Sequence, residues 1–389
     1  MIDYRLRTRL VAGEGAIERL GPLAKEIGGK KTLIVSDPGV VAAGLYDAGV
    51  RSLQASGLEV RGFHGLSENP NTLHVDQGLE VARQWAPDLI VGLGGGSSMD
   101  CAKGINFLYS CGGIIADYWG VGKASKAMLP LIAIPTTAGT GSETQSFALI
   151  SDAETHVKMA CGDPKAAAAI AILDPLLTLT QPPKVTALTG IDALTHALET
   201  YVTNKRNAVS ECFSREAWTL LSRGFPRVIE DGSDLQGRTQ MQLGAAFAGM
   251  AIEASMLGAA HALANPLTAF LGVPHGQAVG VMMPHVIRFN HEVVEHRYRE
   301  LAHLLPDSSH ADRRTGAEII ADRLTDWLQM AGMATRLRDL ESWDSNADLS
   351  HTETKLHAMA EMAVKQWTGT FNPRPAARDD YLAMYRNAI

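Results

Sequence analysis

The first half of the chain alternates short, continuous apolar runs with segments of helical character. Continuous apolar runs are typical of strands buried on both faces, and helices such as EVARQWAP (80–87) are typical of the connections between parallel strands. This alternation limits the fold to an α/β class in which helices cover a parallel sheet. Five runs predict the strands: KTLIVSD (31–37), EVRGFHG (59–65), DLIVGLGGGS (88–97), LPLIAIPTT (129–137) and AAIAILDP (168–175).

The pattern changes after residue 181. The two prolines of QPPK (181–184) end the sheet and suit the first turn of a helix. From there onward the sequence shows successive helical segments and almost no strand-like alternation. Because 389 residues also exceed one ordinary core, we predict an α/β domain over 1–181 and an all-helical domain over 182–389.

Composition and charge exclude several kinds of partner. A net charge of −7 at pH 7 argues against nucleic acid or an anionic membrane, because either would favour a basic surface. The four cysteines form no CxxC pair, which argues against a disulfide framework and a thiolate zinc site. We see no signal-peptide pattern and no apolar stretch of the roughly 18 residues that a membrane span needs. We therefore expect a cytoplasmic protein.

Two loops that follow predicted strands have the composition of a phosphate site. In VGLGGGSSMDCAKGI (91–105), the glycines let the backbone approach a ligand, and the N–H groups at the helix start suit a pyrophosphate. Its spacing differs from the GxGxxG fingerprint, so a simple glycine turn is an alternative. The second loop, IPTTAGTGSE (134–143), offers hydroxyl groups, with a solvated turn as the alternative. Together, two such loops at neighbouring strand ends favour a dinucleotide.

Asp37 ends the predicted strand LIVSD. An acid at this position can bond a ribose 2′-hydroxyl and would repel a 2′-phosphate, which favours NAD over NADP. The alternative is an aspartate that caps the helix beginning at PGVVAAG.

Four residues of the helical domain have the chemistry of a metal site. Asp192 and His196 in GIDALTHALETYV (190–202) are four residues apart and share a helix face, although a surface ion pair is the alternative. His261 and His275 bracket HALANPLTAFLGVPHG, where a helix break at GVP (272–274) allows them to converge. Taken singly, these could be core or helix-terminal histidines. As a set, three imidazoles and one carboxylate suit divalent Fe, Zn, Mn or Co and leave an open position. Glu199 is the nearest candidate to orient a ligand.

The motifs, taken together, resemble those of the iron-containing (group III) alcohol dehydrogenase family. GGGSSMDCAK, PTTAGTGSE, GIDALTHALE and HALANPLTAFLGVPHG occur in the family's order and spacing, and the tail FNPRPA (371–376) is similar to the family's. The resemblance covers nearly the whole chain. It implies a Rossmann-like N-terminal dinucleotide-binding domain, a helical metal-binding domain, a dehydroquinate synthase-like architecture and an active site between the domains.

The resemblance also implies roles for particular residues. The metal, Fe(II) or Zn(II), is expected on Asp192, His196, His261 and His275. The cofactor, NAD(H), is expected on Asp37, Asn69, Gly95, Gly96, Ser97, Asp100, Thr136, Thr137, Thr140 and Lys158.

One position departs from the family pattern. Many members have HxxxHP after the third metal ligand, with the second histidine near the nicotinamide and substrate, whereas this chain has Asn265 there. An amide holds a hydrogen bond but cannot transfer a proton near neutral pH. Phe147 and Ile252 also fall at positions expected to line the substrate pocket, so the preferred alcohol is expected to differ from the family's small diols.

The expected reaction is reversible hydride transfer between NAD(H) and a small alcohol or aldehyde, in a homodimer or larger homo-oligomer. Enzymes of similar architecture are the alternatives. A hydroxyacid–oxoacid transhydrogenase would hold its cofactor tightly, and a lyase of the dehydroquinate synthase type would need a basic pocket that the sequence lacks. Maleylacetate reductases lack this metal set. A non-catalytic binding or structural protein is a further alternative, and a folded protein that binds neither metal nor nucleotide would indicate it.

Overall fold

The two parts of the chain fold as units of different architecture. The computed structural model describes residues 4–155, 157–308, 313–344 and 349–389. The chain divides into residues 1–181, which we name the sheet unit, and residues 182–389, which we name the helical unit.

A parallel sheet forms the centre of the sheet unit. The strands are β1 (Arg9–Ala12), β2 (Lys31–Val35), β3 (Glu59–Phe63), β4 (Leu89–Gly94), β5 (Gly120–Val121), β6 (Leu131–Pro135), β7 (Phe147–Ser151), β8 (Lys158–Gly162) and β9 (Ile170–Leu173). Six of them form one sheet in the order β1-β9-β6-β4-β2-β3, with every pair parallel. The five predicted apolar runs are all strands of this sheet, which confirms the predicted fold class.

Side chains of the central strands alternate between two apolar cores, one on each face of the sheet. Ile90 of β4 packs in one core with Leu131 of β6, whereas the next residues, Val91 and Ile132, pack in the other. All residues of β4, β6 and β9 are buried. Helices cover both faces, so the central strands β4, β6 and β9 have no solvent-facing side and their sequences show no polar alternation. The helices of the sheet unit are α1 (Leu20–Glu26), α2 (Pro38–Ala42), α3 (Leu45–Ala55), α4 (Thr72–Trp85) and α5 (Gly96–Cys111).

The sequence did not predict four strands. β1 is a short strand at the sheet edge, and only Val11 of its residues is buried. The other three form a small sheet in the order β5-β8-β7, in which β7 and β8 are antiparallel. Their apolar runs are short, with FALI in β7 and MAC in β8, and β7 exposes Leu149, so they lack the long buried runs of the central strands.

The order of the strands creates a switch point beside β2. β3 pairs with one side of β2 and β4 pairs with the other. The connection from β2 to β3 therefore runs to one side of β2, and the connection from β3 to β4 runs back to the other side. Ligands of open α/β sheets bind outside the carboxyl ends of the strands at such a point. Asp37 follows β2 and Gly95 follows β4, so the topology places both predicted cofactor segments there.

The described residues of the helical unit form helices and no strand, as predicted. The helices are α6 (Pro183–Val202), α7 (Ala208–Glu230), α8 (Leu235–Ala254), α9 (Ala259–Leu271), α10 (His275–His303), α11 (Gly316–Met330), α12 (Leu349–Ala363) and α13 (Arg378–Asn387). Pro183 occupies the first turn of α6, which confirms the interpretation of QPPK. Within the described ranges no single helix is long and apolar enough to cross a membrane, and one bent pair, α8 with α9, passes that test on length and composition.

Candidate functional site

Asp37 and the glycine-rich loop are hydrogen-bonded to each other at the switch point. The hydroxyl of Ser98, in the first turn of α5, donates to Asp37 Oδ2 over 2.9 Å. Asp37 Oδ1 accepts from the N–H of Val40 at 3.0 Å and so caps α2. The capping role therefore exists in the structure. Since each carboxylate oxygen can accept more than one hydrogen bond, ribose binding by Asp37 stays a prediction.

The second loop packs directly on the first. A Cβ atom at Gly96 would lie 2.7 Å from Thr140 Cγ2, so this approach requires glycine. The backbone N–H of Thr136 donates to the carbonyl of Gly94 at 2.9 Å, which joins the loop after β6 to the loop after β4. Gly95 is the N-cap of α5 and has no side chain to satisfy the first-turn N–H groups. Helix starts of this kind bind phosphate.

A lysine and an asparagine belong to the predicted cofactor segment of the sheet unit. Lys158 Nζ donates to Asn69 Oδ1 at 3.3 Å, and the Asn69 N–H donates to Ser97 Oγ at 3.2 Å. Asn69 adopts a φ of 54°, a conformation that asparagine tolerates better than most residues. The structure thus brings together three predicted cofactor residues from separate segments. The ammonium group of Lys158 is linked in this way to the start of α5, where the helix dipole favours an anion.

A buried lysine connects α5 to the second loop. Lys103 Nζ donates to the carbonyl of Ser142, the hydroxyl of Ser142 and the carbonyl of Phe147 at 2.6, 2.8 and 2.8 Å. The Ser142 hydroxyl donates to Asp100 Oδ1 at 2.6 Å, and the Leu149 N–H donates to Asp100 Oδ2 at 3.2 Å. Burial raises the pKa of Asp100, against the opposing effect of Lys103. Asp100 and Phe147, both predicted as site residues, therefore also brace the loop.

The sequence did not identify Lys103 or Ser142 as functional. The available signal was a lysine inside the apolar segment CAKGINFL (101–108), since lysine is almost never fully buried without partners. Burial also raises the pKa of the neighbouring Glu143 to about 7. The second loop thus carries buried polar groups, which argues against the alternative of a solvated turn.

In the helical unit, the Asp192 carboxylate and three imidazoles converge. His196 Nε2 lies 3.3 Å from Asp192 Oδ1, and His261 Nε2 and His275 Nε2 each lie 3.6 Å from the same oxygen. The donor atoms of Asp192, His261 and His275 lie within 4.8 Å of one another. The rings of His196 and His261 stack at a centroid distance of 4.9 Å. Asp192 and His196 are both buried, so the alternative of a surface ion pair is wrong.

Close packing of α10 against α6 places His275 in this cluster. A Cβ atom at Gly276 would lie 2.1 Å from the backbone oxygen of Leu188, so α10 begins in direct contact with α6 because residue 276 is glycine. The break between α9 and α10 falls where the sequence predicted it. His275 is the most exposed member, with 33% of its side chain accessible, whereas His261 is 6% accessible. The cluster is therefore accessible at His275.

Glu199 orients His261 from the side opposite the cluster. Its Oε2 lies 2.6 Å from His261 Nδ1, which leaves Nε2 directed at Asp192. Glu199 also accepts the N–H groups of Gly258 and Ala260 at 3.0 and 2.6 Å, at the start of α9. A carboxylate is favoured at this end of a helix. The structure therefore gives Glu199 the orienting role that the sequence suggested.

Asn372, in the tail motif FNPRPA, supports the same helix start and was not predicted. Its Oδ1 accepts the Ala259 N–H at 3.4 Å, and its amide exchanges two hydrogen bonds with Asn290 of α10, at 3.0 and 2.7 Å. The pair ties α10 to the tail and to α9. Nothing in the spacing of FNPRPA indicated this contact.

The charges of the cluster attract a cation. Burial alone would raise the pKa of Asp192, but the imidazoles of His196, His275 and His261 outweigh it and hold this pKa well below the ordinary value. Burial alone would lower the pKa of His261, but Glu199 and Asp192 outweigh it and raise this pKa to about 9. The two carboxylates thus draw positive charge into the protein interior, where a divalent cation would satisfy them.

Two buried polar atoms of the cluster lack a hydrogen-bond partner among the described residues, which fits coordination of a metal ion. These atoms are Asp192 Oδ1 and His261 Nε2. Leaving a buried polar atom unpaired costs free energy, and metal coordination removes that cost for both atoms together. One carboxylate oxygen and three imidazole nitrogens are ligands that Fe(II) and Zn(II) accept. The four predicted ligands are therefore chemically suited to such an ion.

Replacing Glu199 with glutamine is expected to weaken divalent metal binding by about 10- to 100-fold, because the ligand His261 loses its charged partner. The measurement is the metal dissociation constant by chelator competition. Glu216→Gln on the exposed face of α7 is the matched control and should leave this constant unchanged. Equal metal affinity in the two variants would show that Glu199 has no role in the cluster.

Comparison with known proteins gives consistent matches over the whole chain. The model of the family "Iron-containing alcohol dehydrogenase" matches residues 7–175, and that of "Fe-containing alcohol dehydrogenase family, C-terminal" matches residues 186–389. Alcohol dehydrogenase 4 of Schizosaccharomyces pombe is 35% identical over 97% of this chain and 86% of its own. The NAD-dependent methanol dehydrogenase of Bacillus methanolicus is 32% identical over 100% of both chains. The crystal structure of a 1,3-propanediol oxidoreductase superposes with a TM-score of 0.93, at 34% identity and over 100% of both chains.

Proposed function

Because the chain belongs to the iron-containing alcohol dehydrogenase family, we propose that it transfers hydride reversibly between NAD(H) and a small alcohol or aldehyde. Membership of this family makes the chain an oxidoreductase of the alcohol dehydrogenase class. The observation that carries the proposal is the convergence of three imidazoles on Asp192 Oδ1.

The proposed metal ligands are Asp192, His196, His261 and His275. When bound, a divalent Fe or Zn ion supplies a Lewis acid for the substrate oxygen, and the nicotinamide supplies or accepts the hydride. Asp192 contributes negative charge at the centre of the set, and Glu199 holds the ring of His261 in place. His275 is the partly exposed member, so we propose that the substrate enters on its side.

The proposed dinucleotide site is the switch point of the sheet unit. The start of α5 and Lys158 would hold the phosphates, and the loop hydroxyls of Thr136, Thr137 and Thr140 would bond ribose or phosphate oxygens. The carboxylate of Asp37 supports NAD over NADP, since it would repel a 2′-phosphate. The name of the NAD-dependent Bacillus methanolicus relative agrees with this choice.

Metal removal tests the proposal. Protein stripped with a chelator is expected to lose NADH-dependent reduction of small aldehydes by at least about 1,000-fold, because Lewis-acid catalysis supplies several kcal/mol. Resupply with Fe(II) or Zn(II), in separate assays, should restore turnover. Protein that binds NADH and metal but reduces no aldehyde would overturn the proposal and favour the transhydrogenase or lyase. The homo-oligomer and the cytoplasmic location stay predictions.

A further inference from the structure

Asn265 lies on the border between the metal cluster and the tail of the helical unit. It follows His261 by one helical turn on α9, so the two side chains share a face and that of Asn265 leans back towards His261. Ala262, on the same helix, packs close to Gly369 of the tail. A Cβ atom placed at Gly369 would lie 3.3 Å from the Cβ atom of Ala262. Asn265 is half-buried.

A hydrogen-bond chain determines which end of the Asn265 amide is free. Gln366 Nε2 donates to the backbone carbonyl of Met362 at 3.4 Å, and a carbonyl can only accept. Gln366 must therefore direct its Oε1 at Asn265, whose Nδ2 donates to it at 2.9 Å. The Asn265 Oδ1 accepts no hydrogen bond from the described residues, so it is the atom of the amide left for a ligand.

We propose that Gln366 is a positioning residue that makes Asn265 a hydrogen-bond acceptor for the substrate. The inference rests on the proposed function, because it concerns the alcohol that the metal cluster would act on. An acceptor one helical turn from a metal ligand selects substrates that carry a second donor group away from the reacting carbon. A short diol has such a donor, and a mono-alcohol of the same length lacks it, so this inference reverses the sequence-based expectation that the preferred alcohol differs from the family's small diols.

The test compares propane-1,3-diol with propan-1-ol as substrates for NAD-dependent oxidation. Gln366→Met removes the acceptor at similar volume, so the Asn265 amide is free to rotate. We expect the ratio of kcat/KM for the diol over the mono-alcohol to fall about 3- to 10-fold, the effect of one neutral hydrogen bond. Asn265→Ala should lower the ratio equally, through KM for the diol with kcat little changed.

Gln366→Glu provides the rescue, because a carboxylate oxygen still accepts from Asn265 Nδ2 and should keep the parent ratio. A purely structural role of Gln366 would instead lower activity on both substrates alike. An unchanged ratio in Gln366→Met and Asn265→Ala, with propan-1-ol still oxidised, would overturn the inference alone. If the parent protein oxidised neither alcohol, the proposed function would fail and the inference with it.

Discussion

Replacing His275 with alanine is expected to remove the bound metal and to lower kcat/KM for alcohol oxidation by at least about 1,000-fold, or about 4 kcal/mol. The variant deletes one of the three nitrogens that converge on Asp192 Oδ1 and leaves the accessible side of the cluster without a ligand. Metal content after dialysis, by mass spectrometry, and kcat/KM on one alcohol are the two measurements. Both should fall together.

His275 suits this test better than His261 because the fold depends on it less. One third of the His275 side chain is exposed. After its removal, the buried Asp192 carboxylate still has its neighbour His196 on α6. Truncating His261 would instead remove the imidazole partner of the buried Glu199 carboxylate, which would keep only the backbone N–H groups of Gly258 and Ala260 among the described residues. His303→Ala, at the exposed end of α10, is the control and should keep both metal and activity. A His275→Ala variant with full metal and full activity would refute the ligand assignment.

The sequence predicted those parts of the molecule that depend on local pattern. The central strands were recognisable because burial on both faces makes them continuously apolar, and α6 because prolines mark its start. The metal cluster was recognisable because Asp192 and His196 share one helix turn, and because a break at residues 272–274 allows two further histidines to converge. In each case the signal lies within a few residues of the feature that it predicts.

Contacts between distant segments were not predictable from pattern. Gln366 lies 101 residues from Asn265 in the chain, and Asn372 lies 113 residues from Ala259, so only the packed helices bring them together. β7 and β8 were missed because their apolar runs, FALI and MAC, are only four and three residues long. Lys103 was missed because the carbonyls that it binds, those of Ser142 and Phe147, lie 39 and 44 residues away in the chain.

Replacing Lys103 with methionine should therefore have a large effect on stability, although this residue is outside the predicted site. The ammonium group is fully buried and donates to three oxygens, all of which would lose this donor in the methionine variant. Removing one member of a buried charged network costs about 3–5 kcal/mol, and the raised pKa of Asp100 moderates this cost because its carboxyl can hold a proton. The urea midpoint of the sheet-unit transition should fall accordingly.

NAD affinity should decrease in the same variant, because Lys103 holds the segment that follows Thr140. Lys165→Met is the matched control: its Nζ also donates to a carbonyl and lies 3.7 Å from Asp163 Oδ1, but its side chain is 47% exposed. Half-exposed pairs contribute at most about 1 kcal/mol, so the control should shift the midpoint little.

Adding Asp100→Asn to Lys103→Met should recover part of the loss, since it removes the carboxylate that the lysine neutralised. Equal losses in the two methionine variants would instead mean that the buried network adds nothing beyond a surface lysine.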